Sequence, residues 1–211
     1  MGKATRAEAW VAQFAVPHIV DLSLRLVWPI DLLVFDNDSM LIVESTQRTS
    51  PFSIDRNMVG QRWPILMTSS GRAYLAHVAA HERSSIVERL RNRDTAEGEL
   101  ARDSRGPRLM VKQVRQAGCA TREGGLFPHT KSISVPVVAK GQVTGCLTIV
   151  WIASALTLEE GAMRFATELK SAAALIVADL ERDGEPGDRS APTGEMCVAP
   201  HCIADAAKRK R

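Results

Sequence analysis

The sequence predicts an α+β domain, with helices packed on an antiparallel sheet. Two pairs of apolar, β-rich runs, within 32–43 and 132–151, each enclose a turn-forming cluster and predict two hairpins. A helical period of apolar residues marks several other segments. Because hairpins and helices are interleaved along the chain, we expect the helices to cover the sheet.

The first half of the chain predicts one hairpin and three helices. Apolar residues over 7–26 indicate a helix with a kink or break at Pro17. The turn of the first hairpin falls at 36–39. Small hydroxyl residues before an Ala/Leu run start a second helix over 68–76, and a third helix is predicted over about 82–92.

The second half predicts a loop, a hairpin and two helices. The segment 93–107 is polar, contains two glycines and lacks periodicity, so we expect a surface loop. A short helix follows and ends at Gly118. The second hairpin turns at Lys140–Gly141, and a capping box at Thr157–Glu160 starts a long helix that reaches about Leu180.

Composition limits the classes of function. The chain has 211 residues, of which 45% are hydrophobic and 5% aromatic, and its net charge is +3. This charge is small for a dedicated nucleic-acid binder, and few aromatics are available to stack sugars or bases. No signal peptide or membrane-length apolar run is visible, so we expect a cytoplasmic protein without membrane contact. Polar composition predicts a folded domain over 1–182 and a disordered tail over 183–211.

Motifs for catalysis and metal binding are weak. The sequence contains no Gly-x-Ser-x-Gly elbow, P-loop or dinucleotide fingerprint, so nothing favours an enzyme. His77 and His81 are four residues apart on a predicted helix, but a solvated helix end is the favoured interpretation. Cys197, His201 and Cys202 provide three possible ligands, whereas a closed structural zinc site takes four. We expect no metal and no cofactor.

Cys119 and Cys146 lie in the predicted folded body. Arg115 and Arg122 are close to Cys119 in sequence and could lower the pKa of its thiol. Cys146 lies in an apolar strand and is typical of an inert core residue. A redox role for these thiols therefore stays open.

The turn Thr68–Gly71 is a candidate anion site. Backbone N–H groups at a helix start, together with hydroxyl side chains, can bind a carboxylate or a phosphate. Every helix also needs a cap, so simple capping is the alternative and, on this turn alone, the favoured interpretation.

Five further segments stand out along the chain, namely Gly60–Ala76, Arg115–Arg122, Ser132–Val137, Gly141–Val143 and Leu147–Ile149. In this order they resemble the effector-binding domain of the IclR family of bacterial transcription regulators. The similarity extends over about 8–180. Within the family, Trp151–Thr157 is most similar to the branch typified by the regulator of 3-(3-hydroxyphenyl)propionate degradation.

The resemblance implies a GAF-like, six-stranded antiparallel sheet flanked by helices, with a small-molecule pocket between the sheet and 68–76. Ser69 and Ser70 match the backbone turn that, in the family, contacts the carboxylate of the effector. Arg122 stands where some members carry an acid. The effector-binding residues implied are Ser69, Ser70, Gly71, Arg122, Ser132, Thr148 and Val150.

The predicted effector follows from two strand positions. Thr148 and Val150 match positions that are serines in members sensing very polar acids. Replacing a hydroxyl with methyl groups favours a larger, more apolar ligand. We therefore expect an aromatic carboxylate, although the sequence does not identify the compound, and we expect short keto acids to bind less well.

The resemblance also implies partners. Full family members begin with a winged helix-turn-helix, which this sequence does not show, so we expect DNA contact only through a full-length relative or an N-terminal domain. We expect a homodimer or tetramer that senses a ligand and is not an enzyme. The alternative is a GAF-like redox enzyme using Cys119 or Cys146, although half of the thiols lie in the tail.

Overall fold

A computed structural model describes residues 10–54 and 56–183. Its centre is a six-stranded sheet with the order β3-β2-β1-β6-β5-β4, in which every neighbouring pair is antiparallel. The predicted α+β class and the six-stranded sheet are confirmed. The strands are β1 (Ile30–Asp36), β2 (Ser39–Ser45), β3 (Arg62–Pro64), β4 (Ala120–Glu123), β5 (Thr130–Ala139) and β6 (Gln142–Ile152).

Helices cover both faces of the sheet. They are α1 (Val16–Leu26), α2 (Ser69–His77), α3 (Ala80–Arg91), α4 (Ala96–Arg102), α5 (Gly106–Ala117) and α6 (Leu158–Asp183). Alternation along the strands divides the core in two. Leu32 and Leu147 pack with α1 and α6, whereas their neighbours Leu33 and Cys146 pack with α2 to α5.

The N-terminal helix changes type next to the predicted break. Residues Val11–Ala15 form a π-helical turn, and α1 begins directly after it with Pro17 in its first turn. A proline is tolerated there because its missing N–H would lack a helical acceptor. The described helix therefore continues past Pro17.

The turn of the first hairpin is tied to the helical layer. Asn37 and Asp38 have φ angles of 51° and 61°, which Asn and Asp tolerate better than other non-glycine residues. The buried Asp38 carboxylate accepts hydrogen bonds from Arg89 (Nε, 3.0 Å) and Arg93 (Nη2, 2.8 Å). Arg89 belongs to α3 and Arg93 follows its end, so the ion pairs join the hairpin to this helix.

The prediction of a loop over 93–107 was wrong, because this segment contains helix α4. Thr95 caps the helix by accepting the Gly98 N–H at 3.1 Å. A Cβ atom on Gly98 would lie 2.1 Å from the Arg93 carbonyl oxygen, so glycine permits close packing here. Helix α4 has seven residues, and Ala101 is its one buried hydrophobic residue. The segment therefore shows no apolar period, which explains why the helix was not predicted.

The other predicted helices and the second hairpin are confirmed. Gly118 ends α5 with a left-handed φ of 67°. Thr157 and Glu160 form the predicted capping box, with N–H to side-chain distances of 2.8 and 3.2 Å. The predicted tail, except for Asp183, lies outside the described residues. No helix in the described part is long and apolar enough to cross a membrane.

Candidate functional site

A cavity lies between the sheet and the start of α2. The space between its walls amounts to about 650 Å³, part of it open to solvent. The loop between β2 and β3 contributes apolar side chains, including Phe52 and Met58. The polar or charged lining residues are Asp31, Gln47, Thr68, Ser69, Ser70, Arg122, Thr130, Ser132 and Thr148.

The first turn of α2 faces this cavity. Thr68 is the N-cap, and its Oγ1 accepts hydrogen bonds from the Gly71 N–H and the Ser70 hydroxyl, both at 3.2 Å. The backbone N–H groups of Ser69 and Ser70, at the helix start, have no acceptor within the helix. Such groups and the positive end of the helix dipole favour an anion.

Gly71 does not line the cavity, unlike the other residues predicted to bind the effector. A Cβ atom at this position would lie 1.9 Å from the carbonyl oxygen of Ile65. Glycine therefore allows α2 to approach the preceding backbone, and the Gly71 N–H is already bonded to Thr68.

Ser69, Ser132 and Arg122 form one buried cluster. The hydroxyl oxygens of Ser69 and Ser132 are 2.8 Å apart, and Arg122 Nε donates to Ser132 Oγ at 3.2 Å. The serine pair has two hydroxyl protons, and its mutual hydrogen bond uses one. Whichever serine donates, one proton stays available for a ligand.

Arg122 is a buried cation without an acid beside it. Arg122 is 5% exposed, and none of the described carboxylates forms an ion pair with its side chain. Backbone carbonyls of Gly124, Phe127 and Thr130 accept from Nη1. Burial lowers the pKa of the guanidinium to about 10, and the charge of Arg72 acts in the same direction. Arg122 is therefore protonated at neutral pH and gives this end of the cavity a positive charge.

Trp63 was not predicted as a site residue. It lines the cavity, and its buried indole N–H has no acceptor in the described part of the chain. Its ring meets Phe127 edge-on at 4.8 Å, and Phe127 in turn lies under the Arg122 guanidinium at 5.1 Å. Trp63 thus adds an unused donor to the cavity wall, next to Phe127. A lone tryptophan in a short strand offered no sequence signal for this role.

Asp31 was also missed. It lines the cavity from β1 and is 3% exposed. Its carboxylate accepts from the Ser45 hydroxyl at 2.6 Å and the Gln47 amide at 3.3 Å. Burial raises the pKa of Asp31 to about 6, although these two hydrogen bonds oppose the shift. The available signal was an acid directly before the apolar run 32–35.

Thr148 and Val150 lie on β6 with their side chains in the cavity lining. Thr148 is paired across the sheet with Asp31 on one side and Ser134 on the other. Its hydroxyl donates to Ser134 Oγ at 3.0 Å, and Ser134 donates to the Leu147 carbonyl at 3.0 Å. Val150 is opposite Ser132 and presents methyl groups between the polar side chains.

The redox alternative finds no support in the placement of the thiols. Cys119 packs in the core beneath α1 and α6, whereas Cys146 packs in the core on the other face. Neither lines the cavity, and burial raises the pKa of both thiols. They cannot converge on one substrate without rearrangement of the sheet.

The two histidines considered for metal binding do not share a helix. His77 is the last residue of α2, Val78 is extended, and His81 belongs to α3. Among the described residues, no group of His, Cys, Asp or Glu could hold a metal ion. Cys197, His201 and Cys202 lie outside the described residues.

The described chain is an antiparallel sheet covered by helices, with a cavity lined by the sheet and by the start of α2. A family model described as "Bacterial transcriptional regulator IclR C-terminal" matches residues 5–178. The chain therefore belongs to this family, and its matched region is the effector-binding domain of an IclR-type transcription regulator.

Solved structures share the fold at low sequence identity. An IclR-family regulator from Brucella abortus has a TM-score of 0.72 and 21% identity, covering 85% of this chain and 67% of that chain. The C-terminal domain of the E. coli transcriptional regulator KdgR has a TM-score of 0.66 and 23% identity, covering 81% of this chain and 98% of that chain. An IclR homologue from Microbacterium hydrocarbonoxydans, complexed with 4-hydroxybenzoate, has a TM-score of 0.67 and 21% identity, covering 85% of this chain and 71% of that chain.

Proposed function

We propose that the cavity binds an aromatic carboxylate as the effector of this domain. The observation that carries the proposal is the buried Arg122, which has no anionic partner among the described residues. Beside it lies the spare proton of the Ser69–Ser132 pair, and the unused indole N–H of Trp63 is a further donor in the cavity lining. A buried cation with an unused donor beside it is complementary to an anion.

The proposed aromatic character of the ligand rests on the walls. Val150 replaces a polar contact with methyl groups, and Phe52, Trp63 and Phe127 add aromatic surface. Pockets of this kind combine apolar walls with a few polar groups that fix orientation. The Microbacterium homologue in complex with 4-hydroxybenzoate gives a precedent within the fold. The similarity of Trp151–Thr157 to the hydroxyphenylpropionate branch is in line with this class.

The proposed consequence of binding is a change in assembly. Cavity groups come from β1, β4, β5, β6 and the start of α2, so a ligand would contact both layers of this half of the domain. A ligand that fits one packing of a homodimer or tetramer better than another shifts the population toward it. The domain would reach DNA indirectly, through a DNA-binding domain in the same or a partner chain, in the cytoplasm.

We propose sensing and not catalysis. The described hydrogen-bond partners of the Ser69 and Ser132 hydroxyls are each other and Arg122, and none of them is a histidine or a carboxylate. These two serines therefore lack the adjacent base that activates a nucleophile.

Titration calorimetry with matched ligands tests the proposal. We expect 3-phenylpropionate or benzoate to bind with one site per chain and the corresponding neutral amides to bind at least about tenfold more weakly. Arg122→Gln should remove most of this preference, while Arg164→Gln, at an exposed arginine over Phe165, should retain it. Because Arg122 also holds a loop, Ser69→Ala serves as a second variant, and circular dichroism checks folding.

Two outcomes would contradict the proposal. Tighter binding of glyoxylate or pyruvate than of any aromatic acid would overturn the aromatic class. Absence of binding by every carboxylate, with folded protein, would overturn the sensing function of this cavity.

A further inference from the structure

We propose that Asp31 is a second recognition residue, and that it selects carboxylates carrying a hydrogen-bond donor at the end remote from the carboxylate. This inference rests on the proposed function, since it assumes that the carboxylate binds beside Arg122. It assigns a role to the end of the cavity that the anion does not use.

The two charged residues line the cavity from strands that are three apart, and we call their surroundings the Arg122 end and the Asp31 end. Arg122 is on β4 and Asp31 on β1, with β5 and β6 between them in the sheet. Measured along the sheet, three strand spacings of ~4.8 Å separate their backbones by about 14 Å. The Arg122 side chain turns toward Ser132 and the 124–130 segment, while Asp31 turns toward Ser45 and Gln47. One ligand can therefore meet both ends only with different groups.

The two ends differ in hydrogen-bonding capacity. Near Arg122 the unused group is a donor, namely one proton of the Ser69–Ser132 pair. Near Asp31 the only proton of the Thr148 hydroxyl is committed to Ser134, so Thr148 offers the cavity lone pairs alone. The Asp31 carboxylate has about four acceptor positions, and the described side chains of Ser45 and Gln47 occupy two. This end therefore presents acceptors and requires a donor.

Asp31 also lacks a compensating charge. No described arginine, lysine or histidine forms an ion pair with it, and the two neutral donors are its described hydrogen-bond partners. A buried carboxylate in this condition is costly, and an additional donor reduces the cost. A ligand hydroxyl or ammonium group would supply that donor.

Matched ligand derivatives test the inference. The probes are 3-phenylpropionate and benzoate, each unsubstituted and with a ring hydroxyl, methoxy or aminomethyl group at the meta or para position. The hydroxyl and ammonium arms distinguish a neutral donor from a cationic one, and the methoxy arm keeps the oxygen without its proton. Calorimetry gives the dissociation constant of each with wild type, Asp31→Asn and Asp36→Asn. Asp36 is the matched control, on the same strand but paired with Arg62 outside the cavity.

We expect wild type and Asp36→Asn to bind the best donor derivative about 10- to 100-fold more tightly than its methoxy analogue. Asp31→Asn should reduce this ratio to within about threefold. Circular dichroism shows whether each variant is folded, and an Asp31→Ser variant replaces Asp31→Asn if the latter is not.

The two proposals fail separately. If the unsubstituted acids bind but donor and methoxy derivatives bind equally well to wild type, the role of Asp31 is overturned and the proposed function stands. If the folded Asp31 variants keep the full preference for donor derivatives, the role of Asp31 is likewise overturned and the proposed function stands. If no carboxylate binds to the wild type, both proposals fall together.

Discussion

Ser69 on α2 and Ser132 on β5 are joined by a hydrogen bond between their hydroxyls, with the oxygens 2.8 Å apart. This bond links the helix start to the sheet beneath it and leaves one proton for a ligand. We predict that Ser132→Ala weakens binding of an aromatic carboxylate by about three- to tenfold, since one donor is lost and Ser69 is released. Calorimetry against Ser84→Ala, an exposed serine on α3, is the comparison. Equal affinities for the two variants would contradict this prediction.

The buried carboxylate of Asp31 makes stability depend on pH. Its pKa is raised from 3.8 to about 6, so the folded protein binds this proton more tightly than the unfolded chain. The associated stability is fully present below about pH 4 and is lost as the pH rises through 6. We predict that Asp31→Asn gains about 1 kcal/mol relative to wild type between pH 5 and pH 8, measured by urea unfolding. A difference that does not change with pH would show that Asp31 titrates normally.

Glu97 satisfies a backbone group of the segment before α2. Its Oε1 accepts the Leu66 N–H at 2.8 Å, and burial raises the pKa of its carboxyl group. We predict that Glu97→Ala lowers the free energy of unfolding by about 1–3 kcal/mol, because it leaves a buried N–H without an acceptor. Glu97→Gln keeps an acceptor and should cost less, while Glu99→Ala, exposed on the same helix, should change stability little. If Glu97→Ala and Glu99→Ala unfold alike, the contact is not stabilising.

Gly71 sets the distance between α2 and the preceding segment. Because an added Cβ would lie 1.9 Å from the Ile65 carbonyl oxygen, Gly71→Ala must displace backbone. We predict a loss of at least the ~1–3 kcal/mol typical of overpacking, together with weaker carboxylate binding because the α2 start moves. Thermal unfolding and calorimetry measure the two effects. An alanine variant with the stability of wild type would mean that α2 shifts freely.

Much of the fold was predictable because its signals are local. Thr68 before an Ala/Leu run and Thr157 with Glu160 mark helix starts through their own hydrogen bonds, and the structure has both. Helix α4 was missed because its stability comes from Thr95, the close packing of Gly98 and the long-range contact of Glu97, none of which produces a period. The short strands β3 and β4 followed from family resemblance and not from residue patterns.

The cavity was predictable only in part. The resemblance named Ser69, Ser132 and Arg122, and in the structure Ser132 is within hydrogen-bonding distance of both Ser69 and Arg122. Asp31 and Trp63 were missed because each is a candidate through what it lacks among the described residues, a cation for Asp31 and an acceptor for the indole N–H of Trp63. Such a deficit depends on the three-dimensional surroundings, and an acid beside an apolar run does not by itself reveal it.

The ion pairs of Asp38 with Arg89 and Arg93 fasten the first hairpin to α3 by charge, whereas neighbouring contacts between the layers are apolar. Both arginines are partly exposed, so dissolved salt can screen this attachment while it leaves the hydrocarbon packing intact. Ionic strength thus acts on the attachment of the first hairpin to α3, at the end of β1 opposite to Asp31.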